Sequence, residues 1–300
     1  MADKSIEVII PVRNMADHLP KVLPPLLAQR ADGDVVTVVN DASTDDTEAV
    51  ARSLAANVVT LTRSQGPFYA RQVAACRSAA DILLFVDARC RPLPGLLDAH
   101  RELHGQPGVA LSCTDVRTLS GPSLAARVAA LQQPFSLSKV GVAGLPDFYP
   151  TANLGIDRTA FEKVGGFRAT RNGDDADICW RVQQRSLGTM ASDPRVLMEW
   201  EPRTTMRGLA GQWKRYGAST AYAKWLYGKH PSPHGAVESF GTELRAELRD
   251  RLRGRPTQVV ARAAIECVYM FGYWSEKLKS ARFRTPVPYD VSTAEATNSD

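Results

Sequence analysis

Asp87-Ala88-Arg89 closes the apolar run Ile82-Leu83-Leu84-Phe85-Val86 and puts charge at the end of a buried segment. A short branched and aromatic run ending in a carboxylate reads as a parallel strand. It delivers Asp87 to the carboxyl edge of a sheet, where open α/β folds bind ligands. A second acid at position 89 would let two carboxylates share a divalent cation, but Arg89 supplies a cation of the protein's own. Charge is also concentrated in Gly173-Asp174-Asp175-Ala176-Asp177. Acids in a first helical turn gain roughly 0.3–1 kcal/mol each from the macrodipole, yet three in four positions exceed what capping needs. Adjacent carboxylates raise one another's proton affinity, the condition for a general base near neutral pH, so Asp174 and Asp175 are candidate catalytic groups.

Four further blocks could bind a ligand. Pro11-Val12-Arg13-Asn14 follows the opening apolar run, and such a turn can offer backbone groups to a flat ring, although Pro and Asn are also ordinary turn residues. Asp41, in Asn40-Asp41-Ala42-Ser43-Thr44-Asp45, could accept a hydrogen bond from a ring N–H, while helix capping fits the same run. Arg71, in Gly66-Pro67-Phe68-Tyr69-Ala70-Arg71, could reach a phosphate or a base at the same edge. In Gln212-Trp213-Lys214-Arg215-Tyr216, helical spacing puts Gln212 and Arg215 on one face, suited to a diphosphate or an acceptor hydroxyl. Helix packing accounts for the aromatic residues there equally well.

The elements that must position these groups follow from hydrophobic period. Apolar runs at 6–12, 35–39, 58–61, 82–86 and 109–112 alternate with helical patterns at 19–27, 47–54, 69–79 and 95–104. That rhythm implies βαβ crossovers and a mainly parallel sheet flanked by helices. After it come a strand near 151–156, a helix from about Asp175, a strand near 196–200 and helices near 206–227, 237–253 and 259–279. The reading divides the chain into a binding half at 1–115, a catalytic and acceptor half at 116–230, a helical extension at 231–285 and a loosely held tail at 286–300.

The 300 residues carry a net charge of +5, with 16 Lys+Arg against 10 Asp+Glu from Glu201 onward, so the basic surplus lies in the last third. Those basic residues are interleaved with Glu and form no aromatic-studded stripe, which disfavours nucleic acid. The last helical stretch is amphipathic; docking on the domain and peripheral contact with a membrane are both open. No apolar run approaches the roughly 18–20 residues of a bilayer span, and five singly placed cysteines fit a reducing compartment. The expected location is cytoplasmic, or the inner face of the membrane. No Gly-x-Gly-x-x-Gly follows the first strand and no Gly-Lys-Ser/Thr occurs, which disfavours dinucleotide oxidoreductases and P-loop NTPases.

Taken in order, these blocks resemble the inverting nucleotide-sugar glycosyltransferases of family two, which have the GT-A fold. The resemblance covers about two thirds of the chain, from Ile6 to Gly217. It implies that Pro11, Val12, Asn14 and Asp41 hold the nucleoside with Arg71 near it, and that Asp87 and Arg89 meet the ribose-diphosphate region. It further implies that Asp175, beside Asp174, deprotonates the acceptor hydroxyl, and that Mn²⁺ or Mg²⁺ binds the diphosphate. Two departures bear on that metal. Arg89 stands where the family has a second aspartate, and Met198-Glu199-Trp200-Glu201-Pro202-Arg203 lacks the histidine that often follows the last core strand. Asp87 with Glu201 is then the expected metal pair, and replacement of the metal by Arg89 with Arg203 or Arg215 is the alternative. The implied partners are a nucleotide diphosphate sugar, UDP-linked first, and a lipid-linked, peptide or small-molecule hydroxyl acceptor. Gln212 to Tyr216 resembles the Gln-x-x-Arg-Trp element of processive synthases, but with no spanning helix expected, transfer of one or a few sugars is the better inference. A scaffold that binds nucleotide or a partner without transferring is the rival reading.

Overall fold

The computed structural model describes residues 4–142, 144–170, 173–228, 256–292 and 296–298. Ile6–Val12 (β1) is buried at every position, as a central strand covered on both faces must be. It pairs in parallel with Val35–Asn40 (β2) and with Ile82–Val86 (β4), and β2 pairs in parallel with Asn57–Leu61 (β3). Helices Leu19–Leu27 (α1), Thr47–Ser53 (α2) and Pro67–Ala75 (α3) form the crossovers, as the alternating rhythm predicts.

The other strands are Cys90–Pro92 (β5), Val109–Thr118 (β6), Asn153–Asp157 (β7), Thr189–Trp200 (β8) and Ala296–Asn298 (β9). They complete a nine-stranded sheet of order β5-β8-β6-β7-β4-β1-β2-β3-β9. The sheet is mixed rather than mainly parallel. β7 runs antiparallel to both β4 and β6, β5 to β8 and β9 to β3, while β6 and β8 are parallel. The parallel expectation holds for β1 to β4, where helices supply each crossover.

Leu96–Gly105 (α4) packs with α1 on one face of the sheet through Leu19, Leu23, Leu84 and Leu97. The opposite face is covered by α3, Arg158–Val164 (α6) and Asp174–Gln184 (α7) around Phe85, Phe161, Phe167 and Ile178. Phe167 sits 5.1 Å from Phe85 and 5.6 Å from Phe161, ring to ring. The Gly165-Gly166-Phe167 block is therefore a core anchor leading into α7. Gly166, at φ 65°, leaves room for the Gln72 side chain, whose Oε1 accepts the Phe167 N–H at 2.7 Å.

Leu124–Gln132 (α5), Met206–Tyr227 (α8) and Pro256–Lys277 (α9) pack together at the side of the sheet. α8 and α9 cross at a glycine pair. A Cβ on Gly217 would fall 2.0 Å from the Tyr269 carbonyl oxygen, and one on Gly272 would fall 2.1 Å from that of Lys214, so the two backbones touch. The outer side of α9 and the residue after it expose Val260, Phe271, Trp274 and Leu278.

Two further expectations are revised, and one falls outside the described residues. The strand expected at 196–200 begins at Thr189; its first half, Thr-Met-Ala-Ser-Asp-Pro, has no clean apolar alternation and pairs with β6 through register shifts. Residues 286–292, expected to be loosely held, lie across the core: Tyr289 stacks edge-on against Tyr69, and Val287 accepts the Ala169 N–H at 2.8 Å. The helix expected at 237–253 lies outside the described residues. Among the described residues no helix is long and apolar enough to cross a membrane.

Candidate active site

A cleft of about 410 Å³ opens at the carboxyl ends of β1, β2 and β4. Pro11, Val12, Asp41, Arg71, Asp87, Arg89, Asp175, Gln212 and Arg215 all line it, although 204 positions separate the first from the last. Parallel strands end at one edge of a sheet, so residues that follow β1, β2 and β4 meet there by topology alone.

Asp41 is 3 % exposed, and its carboxylate accepts the Ser64 hydroxyl at 2.8 Å and the N–H groups of Gln65 at 2.8 Å and Gly66 at 3.0 Å. Gly66, at φ 95°, turns the chain so that its N–H faces this acid and α3 can begin. Asp41 thus ties the end of β2 to the start of α3, which carries Arg71. Its two oxygens keep capacity for a further donor from a ligand.

At the floor, Arg71 donates to Asp87 while its guanidinium lies 4.9 Å from the Phe68 ring centroid. Burial pushes the Asp87 carboxyl above its ordinary value, against the pull of Arg71, Arg203 and Arg89. Arg89 is pushed below its ordinary value by burial and then by Arg203. Its Nε is buried without a hydrogen-bond partner, and among the described residues no carboxylate lies within ion-pair distance of Arg89, Arg203 or Arg215.

The three acids at the start of α7 divide their work. Asp177 is buried and accepts from Arg168, from Arg181 Nε at 2.8 Å and from the Tyr227 hydroxyl at 2.6 Å, so it is structural. Asp174 is 2 % exposed and pushed up to about 8, by burial first and then by Asp175 and Asp177, so it is largely protonated at neutral pH. Asp175 alone lines the cleft. Burial raises its carboxyl as well, offset in part by the Ala176 N–H and by Arg71.

Asn14 and Glu201 stand apart from this group. Asn14, at φ 53°, donates its N–H to Ser43 and accepts from the Thr44 N–H, joining two loops below the cleft rather than lining it. Glu201 accepts from Arg91 and from Lys21 at 3.0 Å, with His18 at 3.6 Å. On α8, Gln212 Nε2 donates to the Tyr216 hydroxyl at 2.6 Å, leaving its buried Oε1 without a partner. Trp213 does not line the cleft and packs edge-on against Tyr216 and Tyr269.

Further lining comes from Phe68, Phe135, Trp200 and the segment Pro150-Thr151-Ala152. Phe68 lies within a block that the sequence singles out. Phe135 carries no local signal, and 150–152 lie at the entry to the strand expected near 151–156, which begins at Asn153. Just beyond them, Asn153 is held by His100, whose Nε2 lies 2.9 Å from Asn153 Oδ1 and whose Nδ1 lies 2.7 Å from the Ser112 hydroxyl. Asn153 Nδ2 donates to the Thr114 carbonyl at 3.0 Å. A buried polar network thus fixes the wall of the cleft.

Residues 7–172 match the description Glycosyl transferase family 2. That is over half of the chain. The chain belongs to glycosyl transferase family 2. Its fold is similar to that of a mannosyltransferase from Pyrobaculum calidifontis solved with GDP-Man and Mn²⁺, with a TM-score of 0.58 at 20 % identity, covering 92 % of this chain and 84 % of the other. Mannosyl-3-phosphoglycerate synthase from Rubrobacter xylanophilus is similar at a TM-score of 0.55 and 21 % identity, over 79 % and 78 % of the two chains. A 4,4'-diaponeurosporenoate glycosyltransferase from Staphylococcus haemolyticus (strain JCSC1435) is 37 % identical over 91 residues, 28 % of this chain and 24 % of that protein. The match thus spans about a quarter of that relative.

In this member of the family the expected metal pair is not assembled. Asp87 is shared with Arg71, Glu201 is occupied by Arg91 and Lys21, and among the described residues no group of three or more His, Cys, Asp or Glu is placed to hold a metal ion. A dication at a nucleotide site takes most of its oxygen ligands from phosphates and water and only one or two from protein carboxylates, which must be free to turn toward it. The donor set around Asp87 does not fit that requirement.

Proposed function

We propose that this glycosyltransferase moves a sugar from a nucleotide diphosphate donor, UDP-linked first, to an acceptor hydroxyl in one inverting displacement. One observation carries the reading. Of the three carboxylates in the cleft, Asp41 accepts from three protein donors and Asp87 is paired with Arg71, while Asp175 has no ion-pair partner among the described residues. Asp175 takes the proton of the acceptor O–H, and the acceptor oxygen attacks the anomeric carbon. The bond from that carbon to the diphosphate oxygen breaks on the opposite side, and the cleft arginines stabilise the charge left on the diphosphate. Pro11 and Val12 seat the nucleoside, with Asp41 accepting from its ring N–H. The partnerless Gln212 Oε1 suits an acceptor hydroxyl. A single transfer fits an acceptor held at α8.

Incubating the protein with α-linked UDP-sugars and alcohol acceptors, and following the anomeric proton by NMR, tests the displacement. A β-linked product is expected. An α-linked product means retention and removes Asp175 from the role of base in a single displacement.

The exposed side of α9 supports peripheral contact with an anionic membrane. Phe271 and Trp274 are 61 % and 51 % exposed, and Lys214 and Lys277 lie 5.1 and 4.7 Å from their ring centroids. Apolar rings flanked by ammonium groups match an acyl boundary beneath acidic headgroups. Sedimentation with phosphatidylglycerol vesicles should carry the protein down, phosphatidylcholine vesicles should not, and Trp274→Ser should weaken the effect. Equal recovery in the supernatant with both lipids would remove this assignment.

A further inference from the structure

We propose that this glycosyltransferase neutralises its donor diphosphate with an arginine clamp, Arg89 and Arg203 supported by Arg71, in place of a divalent cation. The inference rests on the donor reading above and deepens it.

Five arginines line the cleft, Arg13, Arg71, Arg89, Arg203 and Arg215, against three carboxylates, Asp41, Asp87 and Asp175. The surplus of two positive charges equals the two negative charges that the diphosphate of a nucleotide sugar carries. Arg89 and Arg203 line the same cleft, and neither has a carboxylate within ion-pair distance among the described residues. Burying a guanidinium beside a like charge is unfavourable unless an anion arrives to compensate it. The buried, partnerless Arg89 Nε is a donor awaiting such an acceptor. Planar guanidinium forks also match phosphate oxygens bidentately, which an ammonium group does not.

The same charges oppose a dication. Arg71, Arg89 and Arg203 all act on Asp87, so a metal ion approaching that carboxylate meets three positive groups. A cation between Asp87 and a diphosphate would also compete with the Arg71 ion pair, leaving a guanidinium that is 3 % exposed without its partner. Arg89 stands at the position where the sequence pattern calls for a second aspartate, and the clamp is what that exchange creates. During displacement the leaving diphosphate gains a further negative charge, and the guanidiniums are already oriented to receive it.

Calorimetric titration of the full chain with UDP, GDP and dTDP, each with Mn²⁺ and again with excess EDTA, reads this directly. The nucleotide that binds should do so with affinities within about threefold in the two buffers. Arg89→Asp should lose roughly tenfold or more in EDTA and recover part of it with Mn²⁺, while Arg203→Gln should weaken binding alike in both buffers. If Arg89→Asp does not fold, Arg203→Gln carries the test. Wild-type binding that vanishes in EDTA and returns with Mn²⁺ would overturn the clamp and leave the donor reading standing. Failure of every nucleoside diphosphate to bind in either buffer would overturn the donor reading, and the clamp with it.

Discussion

Asp175→Asn lowers kcat by about 10²–10⁴-fold and leaves the affinity for nucleoside diphosphate within roughly twofold of wild type. The substitution keeps shape and removes only the ability to take a proton. Among the described residues Asp175 accepts the Ala176 N–H at 2.9 Å, which an amide oxygen can also accept, so the fold at the head of α7 is retained. The pH profile gives a second, independent readout. Burial raises the Asp175 carboxyl, so the acid limb of kcat/KM lies above the ordinary carboxylate range near 4. That limb disappears in the variant. Its neighbour offers the control. Asp174 is mostly protonated at neutral pH and does not line the cleft, so Asp174→Asn leaves the limb in place. Turnover of Asp175→Asn comparable to wild type would exclude it as the base.

Below pH 5 the protein loses several kcal/mol of stability through two histidines behind the cleft wall. His100 is 0 % exposed and held down to about 4, by burial above all, and His104 is 1 % exposed and held down to about 3. Both folded values lie below the ordinary 6.5, so as pH falls through 6.5 the unfolded chain takes up protons that the native state refuses. Stability is therefore full above about 6.5 and declines until the folded values are passed. At pH 4 the pair costs about 6 kcal/mol at most, much of the margin of an ordinary domain. Urea unfolding at pH 7 and pH 4.5 measures the difference, and His104→Leu should reduce it because His104 makes no side-chain hydrogen bond that an apolar residue would orphan. An unchanged midpoint between the two pH values would rule out the histidine pair. Asp174 acts with opposite sign. Its folded value of about 8 exceeds the unfolded one, so its contribution is lost as pH rises between the two. Stability should peak near neutrality.

Hydrophobic period was enough to locate β1 to β4, because each is a continuous apolar run bounded by turn residues, and a helix follows each of the first three. The cleft followed from the same logic. Asp41, Asp87 and Arg71 sit at strand ends or at the next helix start, where topology leaves little choice of position. What the chain hides is long-range. β8 begins in a polar stretch that becomes a strand only because β6 lies beside it. Phe135 reaches the cleft from an irregular segment, and the His100, Ser112 and Asn153 network behind the wall joins three separate elements that no local pattern links. Glu201 illustrates the opposite error. It lies just after a core strand, as a metal ligand would, but Arg91 on the adjoining strand takes its carboxylate, a partner visible only once β5 is paired with β8.

The crossing of α8 and α9 at Gly217 and Gly272 gives the C-terminal region mechanical purchase on the active site. Where side chains intervene between helices, a shift of one can be absorbed by rotamer changes in the other. Backbone pressed on backbone has no such compliance, so the two helices travel as one lever. The near end of that lever carries Gln212, Arg215 and Tyr216 on the cleft wall, and its outer side exposes Phe271 and Trp274. A load applied to the outer helix is therefore passed to the cleft-lining groups of α8.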